Sequence, residues 1–345
     1  MLTYTPGRFR IFYAWSYLFL VRYLPWIWQF SYDLLDGTSI YRIAQPLRRW
    51  WNLRITKRFI RFLKDRSPDV VIAAHFLPAD VCSAGKRAGW LTAQLVVVVT
   101  DLYPHHFWIS PEADAMVVST AQGAEALQAR GVHHERIHVL GIPIDQAFHQ
   151  PVDREQLRQR FQLQPQRMTL LVTSGGTTVG RFEQVVELLL ALEATIPGRL
   201  QLLVVCGQDE AARVRLTQRV QTSAMPMHVF GFVDYMAQLM GISDLIVAKA
   251  GGLTISEALG RGLPLVLYHV IPGQERMNAR FVCAQGAGLM AQRPEDVADT
   301  VRQLLEDPTR LAAMRAAAER ISAPDAATHI ASRVVQPMLL QRAKF

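Results

Sequence analysis

Cysteine is scarce in this sequence. The three residues Cys82, Cys206 and Cys283 are an odd number at wide, unpatterned spacing, which argues against a disulfide framework and for a reducing, cytoplasmic compartment. Long apolar runs are missing as well. Residues 11–21 form one about half the length of the roughly 20 residues a spanning helix needs, Arg22 closes it, and Pro25 would kink any continuation. No small-residue cleavage site follows, so a secretory signal is not expected. No internal repeat, low-complexity tract or Asp-x-Asp metal signature occurs. Acidic residues are rare at the start: residues 1–66 hold twelve Lys/Arg against three Asp/Glu, so the net charge of +8 sits in this arm and the remainder is close to neutral.

The arm is aromatic as well as basic, reading FRIFYAWSYLFLVRYLPWIWQFSYDLL and then RRWWNLRITKRFIRFLKDR. Trp15, Trp26 and Trp28 interleaved with Arg8, Arg10 and Arg22 suit a helix lying at a lipid headgroup boundary, where rings occupy the interface and cations meet anionic lipid. The alternative is that the aromatics fill a core while the basic face is solvated. No nucleic-acid-binding module is present, so nucleic acid is not an expected partner.

Half of the 345 residues are apolar, enough for two α/β domains. Apolar β-branched runs at 69–75, 94–101, 115–119, 137–141, 168–176, 201–207, 227–232, 244–252 and 264–270 alternate with helical stretches, the pattern of a parallel sheet covered on both faces. The segment 141–167 breaks that rhythm with polar residues and three prolines, after which a fresh glycine turn opens. Two doubly wound domains are expected, 1–150 and 151–345, the second closing with Ala/Arg-rich helices.

Ligands of doubly wound sheets bind beyond the carboxyl ends of the strands. There the turn SGGTTVG (174–180), with Gly176 and Thr177, offers amides, hydroxyls and a helix end suited to a phosphate, or merely relieves crowding. A second turn, AKAGGLTISEALG (248–260), places Gly251, Gly252, Leu253 and Thr254 at a helix start where an anion is expected, with Glu257 about one turn in. Glu257 could accept hydrogen bonds from a sugar diol, or Thr254-Ile-Ser-Glu257 could be a capping box. Beyond the next strand, Gln274 and Asn278 lie four apart on one helical face if a helix starts near Gly273. In GFVDYMAQLM (231–240), Phe232 is either a core residue or a partner for an aromatic base.

Taken together, GFVDYMAQLMGISDLIVAKAGGLTISEALGRGLPLVLYHVIPGQERMNARFV resembles the donor-binding half of the monogalactosyldiacylglycerol synthase and processive diacylglycerol glucosyltransferase family. These are UDP-sugar transferases of GT-B fold, related to the peptidoglycan N-acetylglucosaminyltransferase. The likeness continues through PDVVIAAHFLPADV (68–81), VVVVTDLYPHHFW (96–108) with its D-x3-H-x2-W spacing, and HVLGIPI (138–144), and covers nearly the whole chain.

The resemblance implies two Rossmann-like domains facing across a cleft. Phe232 and Val233 would border the uracil and Glu257 would hold the ribose. Gly251, Gly252, Leu253 and Thr177 would cradle the diphosphate, and Gln274 and Asn278 would approach the donor sugar. His75, Asp101, His105 and Trp108 would face the cleft, with His75 or Asp101 as base for the acceptor hydroxyl. Lys249 lies beside the cradle without an assigned role. The expected reaction moves a hexose from a UDP-sugar to a diacylglycerol-type lipid with inversion and without cofactor or metal. The expected location is peripheral, on the inner face of the cell membrane, held through residues 8–66. The rivals are a UDP-sugar epimerase of the same fold and a degenerate lipid-surface binder. Family members begin with a strand and a glycine-rich loop ending in histidine; no Gly-Gly-Gly-His occurs here. The chain is therefore expected to bind UDP-sugar, transfer sugar feebly, and regain activity if an upstream in-frame loop exists and is restored.

Overall fold

Each of the nine apolar runs forms a strand, because continuous Val, Ile and Leu suit strands buried on both faces. The computed structural model describes residues 4–7, 19–20, 24–36, 38–175, 181–271 and 273–342. The chain divides into two compact units, one made of residues 1–143, 272–274 and 325–345 and the other of residues 144–271 and 275–324.

The first unit opens with helices α1 (Pro25–Asp36), α2 (Thr38–Ile55) and α3 (Lys57–Arg66). Its sheet is parallel, in the order β1 (Val70–Ala73), β2 (Gln94–Val98), β3 (Ala115–Val118) and β4 (Ile137–Val139). Helix α4 (Phe76–Arg87) joins β1 to β2 and α5 (Ala121–Ala129) joins β3 to β4. Alternation along β2 feeds two cores. Leu95, Val97 and Val99 pack with Leu63, Cys82, Trp108 and Leu127, while Val96 and Val98 pack with Val117, Ile330 and Val334.

Those last two partners correct the expected division. The C-terminal segment α14 (Ala326–His329), a wide π turn over Ile330–Val335 and α15 (Gln336–Arg342) belong to the first unit, although the sequence placed everything after residue 151 in the second. The apolar periodicity of residues 325–342 shows which face must be covered but not which sheet covers it.

The second unit carries α6 (Arg154–Arg160), β5 (Met168–Thr173), α7 (Phe182–Ala191), β6 (Leu200–Val205), α8 (Glu210–Val220), β7 (Met227–Phe230) and α9 (Met236–Ile242). There follow β8 (Leu245–Ala248), α10 (Gly252–Gly260), β9 (Leu265–Leu267), α11 (Gln274–Ala284, all but its first residue in this unit), β10 (Gly288–Met290), α12 (Pro294–Glu306) and α13 (Pro308–Ile321). All six strands are parallel in the order β10-β9-β8-β5-β6-β7. The three-residue β10 is the strand that the sequence reading misses, since Gly286 and Gly288 leave too short an apolar run to register. Cys82 and Cys206 are buried free thiols and Cys283 is half-buried. No described helix is long and apolar enough to cross a membrane.

Candidate functional site

In the second sheet the chain runs outward from β5 through β6 to β7, then returns to place β8 on the other side of β5. That reversal is a topological switch point, where the turns after β5 and β8 diverge and leave a crevice at their carboxyl ends. A pocket of about 260 Å³ lies there, lined by Thr173 and Gly175 after β5, Val205, Gly207 and Gln208 after β6, Phe232 and Val233 after β7, Met236 and Met240 of α9, and Thr254 and Glu257 of α10. Gly175 and Gly207 have φ of +71° and +60°, a left-handed backbone that disfavours any side chain. A Cβ on Gly207 would also stand 3.4 Å from the Gly175 carbonyl oxygen.

Phe232 is 76% exposed, which settles the core alternative against it. Its neighbours explain why. Phe161, Phe230 and Tyr235 contact one another at ring-centroid distances of 5.8, 6.2 and 6.4 Å, clamping the turn from within and leaving Phe232 at the pocket rim. A ring presented beside Val233 and the α9 methionines suits the face of a flat heteroaromatic group.

The capping box is also excluded. The N-cap of α10 is Gly251 (φ −69°, ψ 137°), with no side-chain cap, so Thr254 is the third helical residue and Glu257 the sixth. Ile255 is the first residue whose amide closes on the N-cap carbonyl, at 3.0 Å. The amides of Gly252, Leu253 and Thr254 therefore lie at an uncapped helix end, with the positive pole of the dipole behind them. A Cβ on Gly251 would find nothing nearer than Thr254 Oγ1 at 3.9 Å, so glycine there keeps the space before the helix open. Such an end attracts an anion. Glu257 is half-buried on the pocket wall, and desolvation pushes its carboxyl up to about 7.

Asn278 and Lys249 support this cradle from behind. Asn278 is 1% exposed and its Nδ2 donates to the Ala250 carbonyl at 3.1 Å, so it fixes the turn before α10 and is not presented to the pocket. Gln274, the first residue of α11, is exposed, and Glu275 Oε2 accepts from the Ile271 amide at 3.0 Å. Lys249 is 5% exposed; burial pulls its ammonium down to about 8 while the Glu275 carboxylate holds it partly up. Gly176 and Thr177 lie outside the described residues.

In the first unit, each candidate catalytic group already has a bond. His75 is the N-cap of α4, its Nδ1 accepting from the Leu77 amide at 3.1 Å. Desolvation lowers its pKa, and a neutral ring that accepts at Nδ1 carries its proton on Nε2. Asp101 Oδ2 accepts from the Trp108 indole at 3.0 Å, and Trp108 is 3% exposed. The D-x3-H-x2-W spacing thus encodes a bond across a loop. His105 is 4% exposed, its Nδ1 accepts from the Phe107 amide at 3.1 Å, and its Nε2 lies 3.6 Å from Asp36 Oδ1. That geometry draws the His105 ring into the loop's own packing. Of the three, only the His75 side chain stands exposed.

Comparison with known proteins assigns this arrangement. Residues 2–144 match the family described as Monogalactosyldiacylglycerol (MGDG) synthase, and residues 169–330 match the Glycosyltransferase family 28 C-terminal domain. A processive diacylglycerol beta-glucosyltransferase of Bacillus cytotoxicus is 30% identical over 310 residues, covering 87% of this chain and 78% of the relative. This chain belongs to the family of monogalactosyldiacylglycerol synthases and processive diacylglycerol glucosyltransferases. The fold is GT-B. The Acinetobacter baumannii MurG structure superposes with a TM-score of 0.59 at 18% identity, covering 83% of this chain and 79% of that one. A Neisseria meningitidis UDP-GlcNAc 2-epimerase, bound to UDP-GlcNAc, gives 0.63 at 17% identity over 83% and 82%. At that identity both likenesses are of fold alone.

Within this family member, sequence reading located Phe232, Val233, Thr254 and Glu257 on the pocket wall and passed over Thr173, Val205, Gln208, Met236 and Met240. The first three of these stand at or just beyond strand ends, so the rule that ligands meet carboxyl ends could have found them. The methionines carry no signal, because helical apolar spacing is shared by any buried face.

Proposed function

We propose that this protein transfers a hexose from a UDP-sugar to the hydroxyl of a diacylglycerol-type lipid, inverting the anomeric carbon, at an anionic membrane surface. The observation that carries the reading is the uncapped start of α10 with Glu257 one turn further in and Phe232 across the same pocket. Base, ribose and diphosphate each find a matching group. The rim ring and Val233 take the uracil face, the Glu257 carboxylate accepts from the ribose diol, and the α10 amides with the Thr254 hydroxyl neutralise the departing diphosphate without a metal ion. Lys249, buried beside the turn, adds a cation to the same field.

The acceptor hydroxyl loses its proton as it attacks. His75 is assigned to receive it, since its ring is exposed and neutral near pH 7. Accepting that proton at Nδ1 requires release of the Leu77 amide, so cap and base compete for one lone pair. His75→Asn separates the two roles, because asparagine is a good N-cap and a poor base. Transfer from UDP-glucose and UDP-galactose to diacylglycerol in anionic vesicles should fall about 10²–10⁴-fold in this variant with its melting temperature unchanged. Undiminished transfer would leave His75 as a cap only. No incorporation from any UDP-hexose by the parent chain, with UDP binding intact, would return the protein to the class of lipid-surface binders.

The arm supports the membrane reading. On α1, Trp26, Phe30 and Leu34 recur every four residues and are exposed, and on α2 Ile43, Leu47 and Trp50, spaced four and then three residues apart, are exposed too, with the Arg54 guanidinium 5.0 Å from the Trp50 ring centroid. Two apolar stripes, the second edged by Arg54, fit a lipid surface better than water. Arg8, Arg10, Trp15 and Arg22 lie outside the described residues.

A further inference from the structure

Asp36 is the last residue of α1, and its side chain leaves that helix for the loop after β2. Oδ1 accepts from the His106 amide at 3.0 Å and lies 3.1 Å from His106 Nδ1. Oδ2 accepts from Arg130 Nη2 at 2.9 Å. His105 Nε2 stands 3.6 Å from Oδ1. Arg130, the C-cap of α5, donates its other nitrogen to the Pro104 carbonyl and lies 5.6 Å from the Tyr103 ring centroid. Directly or through Arg130, one carboxylate holds residues 103–106, the stretch between Asp101 and Trp108.

The ring states follow from these partners. A carboxylate only accepts, so His106 carries a proton on Nδ1. His105 accepts at Nδ1, so its proton is on Nε2, the nitrogen nearest Asp36. Partial burial works against the Asp36 charge, but His105, the His106 amide and Arg130 outweigh it and hold the group below the ordinary carboxylate value. Two histidines, each 4% exposed, and a guanidinium are therefore organised by a single anion.

That anion sits at one end of a helix whose exposed stripe is Trp26, Phe30 and Leu34. Apolar packing alone would let α1 slide against the loop, whereas partly buried charge-assisted hydrogen bonds of fixed geometry favour one register. We propose that Asp36 is a positioning residue that transmits the seating of α1 on lipid to the loop 101–108, so that the loop is ordered for transfer when the arm is docked. The lipid half of this inference rests on the membrane function proposed above.

The test uses the full chain and vesicles of phosphatidylglycerol containing diacylglycerol, with two readouts. In hydrogen exchange, Asp36→Asn should speed the amides of residues 105–109 at least tenfold, and vesicles should slow those amides in the parent but not in the variant. In kinetics, Asp36→Asn should lower kcat at least tenfold while UDP affinity, lipid KM and vesicle binding stay within twofold, and Asp36→Glu should recover part of kcat. Arg130→Met removes the Oδ2 partner and the bond to the Pro104 carbonyl but leaves the Asp36–His106 bonds in place, and should give the same exchange pattern in milder form if Asp36→Asn does not fold. Equal loop exchange in parent and variants, or equal protection by vesicles, overturns the proposal. So does a kcat loss that tracks loss of vesicle binding. A parent that neither binds vesicles nor transfers sugar would instead overturn the membrane function, a result visible before any variant is compared.

Discussion

A carboxyl group pushed up to about 7 with no salt-bridge partner among the described residues is an expense to the ligand-free protein, and Glu257 is such a group. It makes sense where a ligand will supply the missing hydrogen bonds. Charge strengthens those bonds, so Glu257→Gln should weaken UDP binding by about 1.5–3 kcal/mol, measured by calorimetry at pH 8. The pH dependence has a definite sign. Because the folded value lies above the ordinary glutamate value of 4.5, folding takes up a proton between about 4.5 and 7. The stability attached to that proton is present below this window and lost as pH rises through it. Relative to Glu257→Gln, the ligand-free parent should thus lose unfolding free energy from pH 5 to pH 8, while its UDP affinity rises over the upper part of the same range. A flat difference between parent and variant across that range would mean that the carboxyl is already ionised at pH 5 and well solvated.

Helices α1 and α2 raise the corresponding question at the scale of elements. Leu63 of α3 and Asn52 of α2 are buried, and Asn52 Nδ2 donates to Asp80 Oδ2 at 2.7 Å, so the arm is attached to the sheet's helices along one side. Trp26, Phe30, Ile43 and Leu47 face away from that attachment, between 65% and 80% exposed. Replacing all four by serine should abolish co-sedimentation with anionic vesicles and leave UDP affinity unchanged; in the parent, binding should rise with anionic lipid content and weaken with salt. Vesicle binding equal in parent and quadruple variant would move the lipid contact elsewhere. The sequence showed that the arm was amphipathic but left open whether its aromatics were core, because periodicity gives a face and not what meets it. A similar limit hid the Asp101–Trp108 bond, whose spacing read only as family likeness, since a sequence does not show which side chains meet across a loop. Strands were legible for the opposite reason: a parallel strand is apolar on both faces whatever it packs against. The start of α10 was legible because the glycines and the helix pattern that follows are local features.

For the whole molecule, the path of the chain is the feature least visible in the sequence. It builds one sheet, leaves to build a second, and returns at residue 325 to finish the first. Ile330 and Val334, 4% and 2% exposed, cover the face made by Val96, Val98, Ala115 and Val117. Without them that face of a parallel sheet is open to water, a state such sheets rarely tolerate. Removing the buried atoms of Ile330 by Ile330→Ala should cost about 2–5 kcal/mol, and the loss should be confined to the unit that owns the core. Hydrogen exchange in the Ile330→Ala, Val334→Ala double variant should therefore rise across β2 and β3, while β5, β6 and β8 keep the parent's protection. UDP should still bind with the parent's affinity, because every residue lining its proposed pocket lies in the other unit. Loss of protection in β5 and β8 together with β2 and β3 would show that the two units open as one, and that the returning segment stabilises the entire protein.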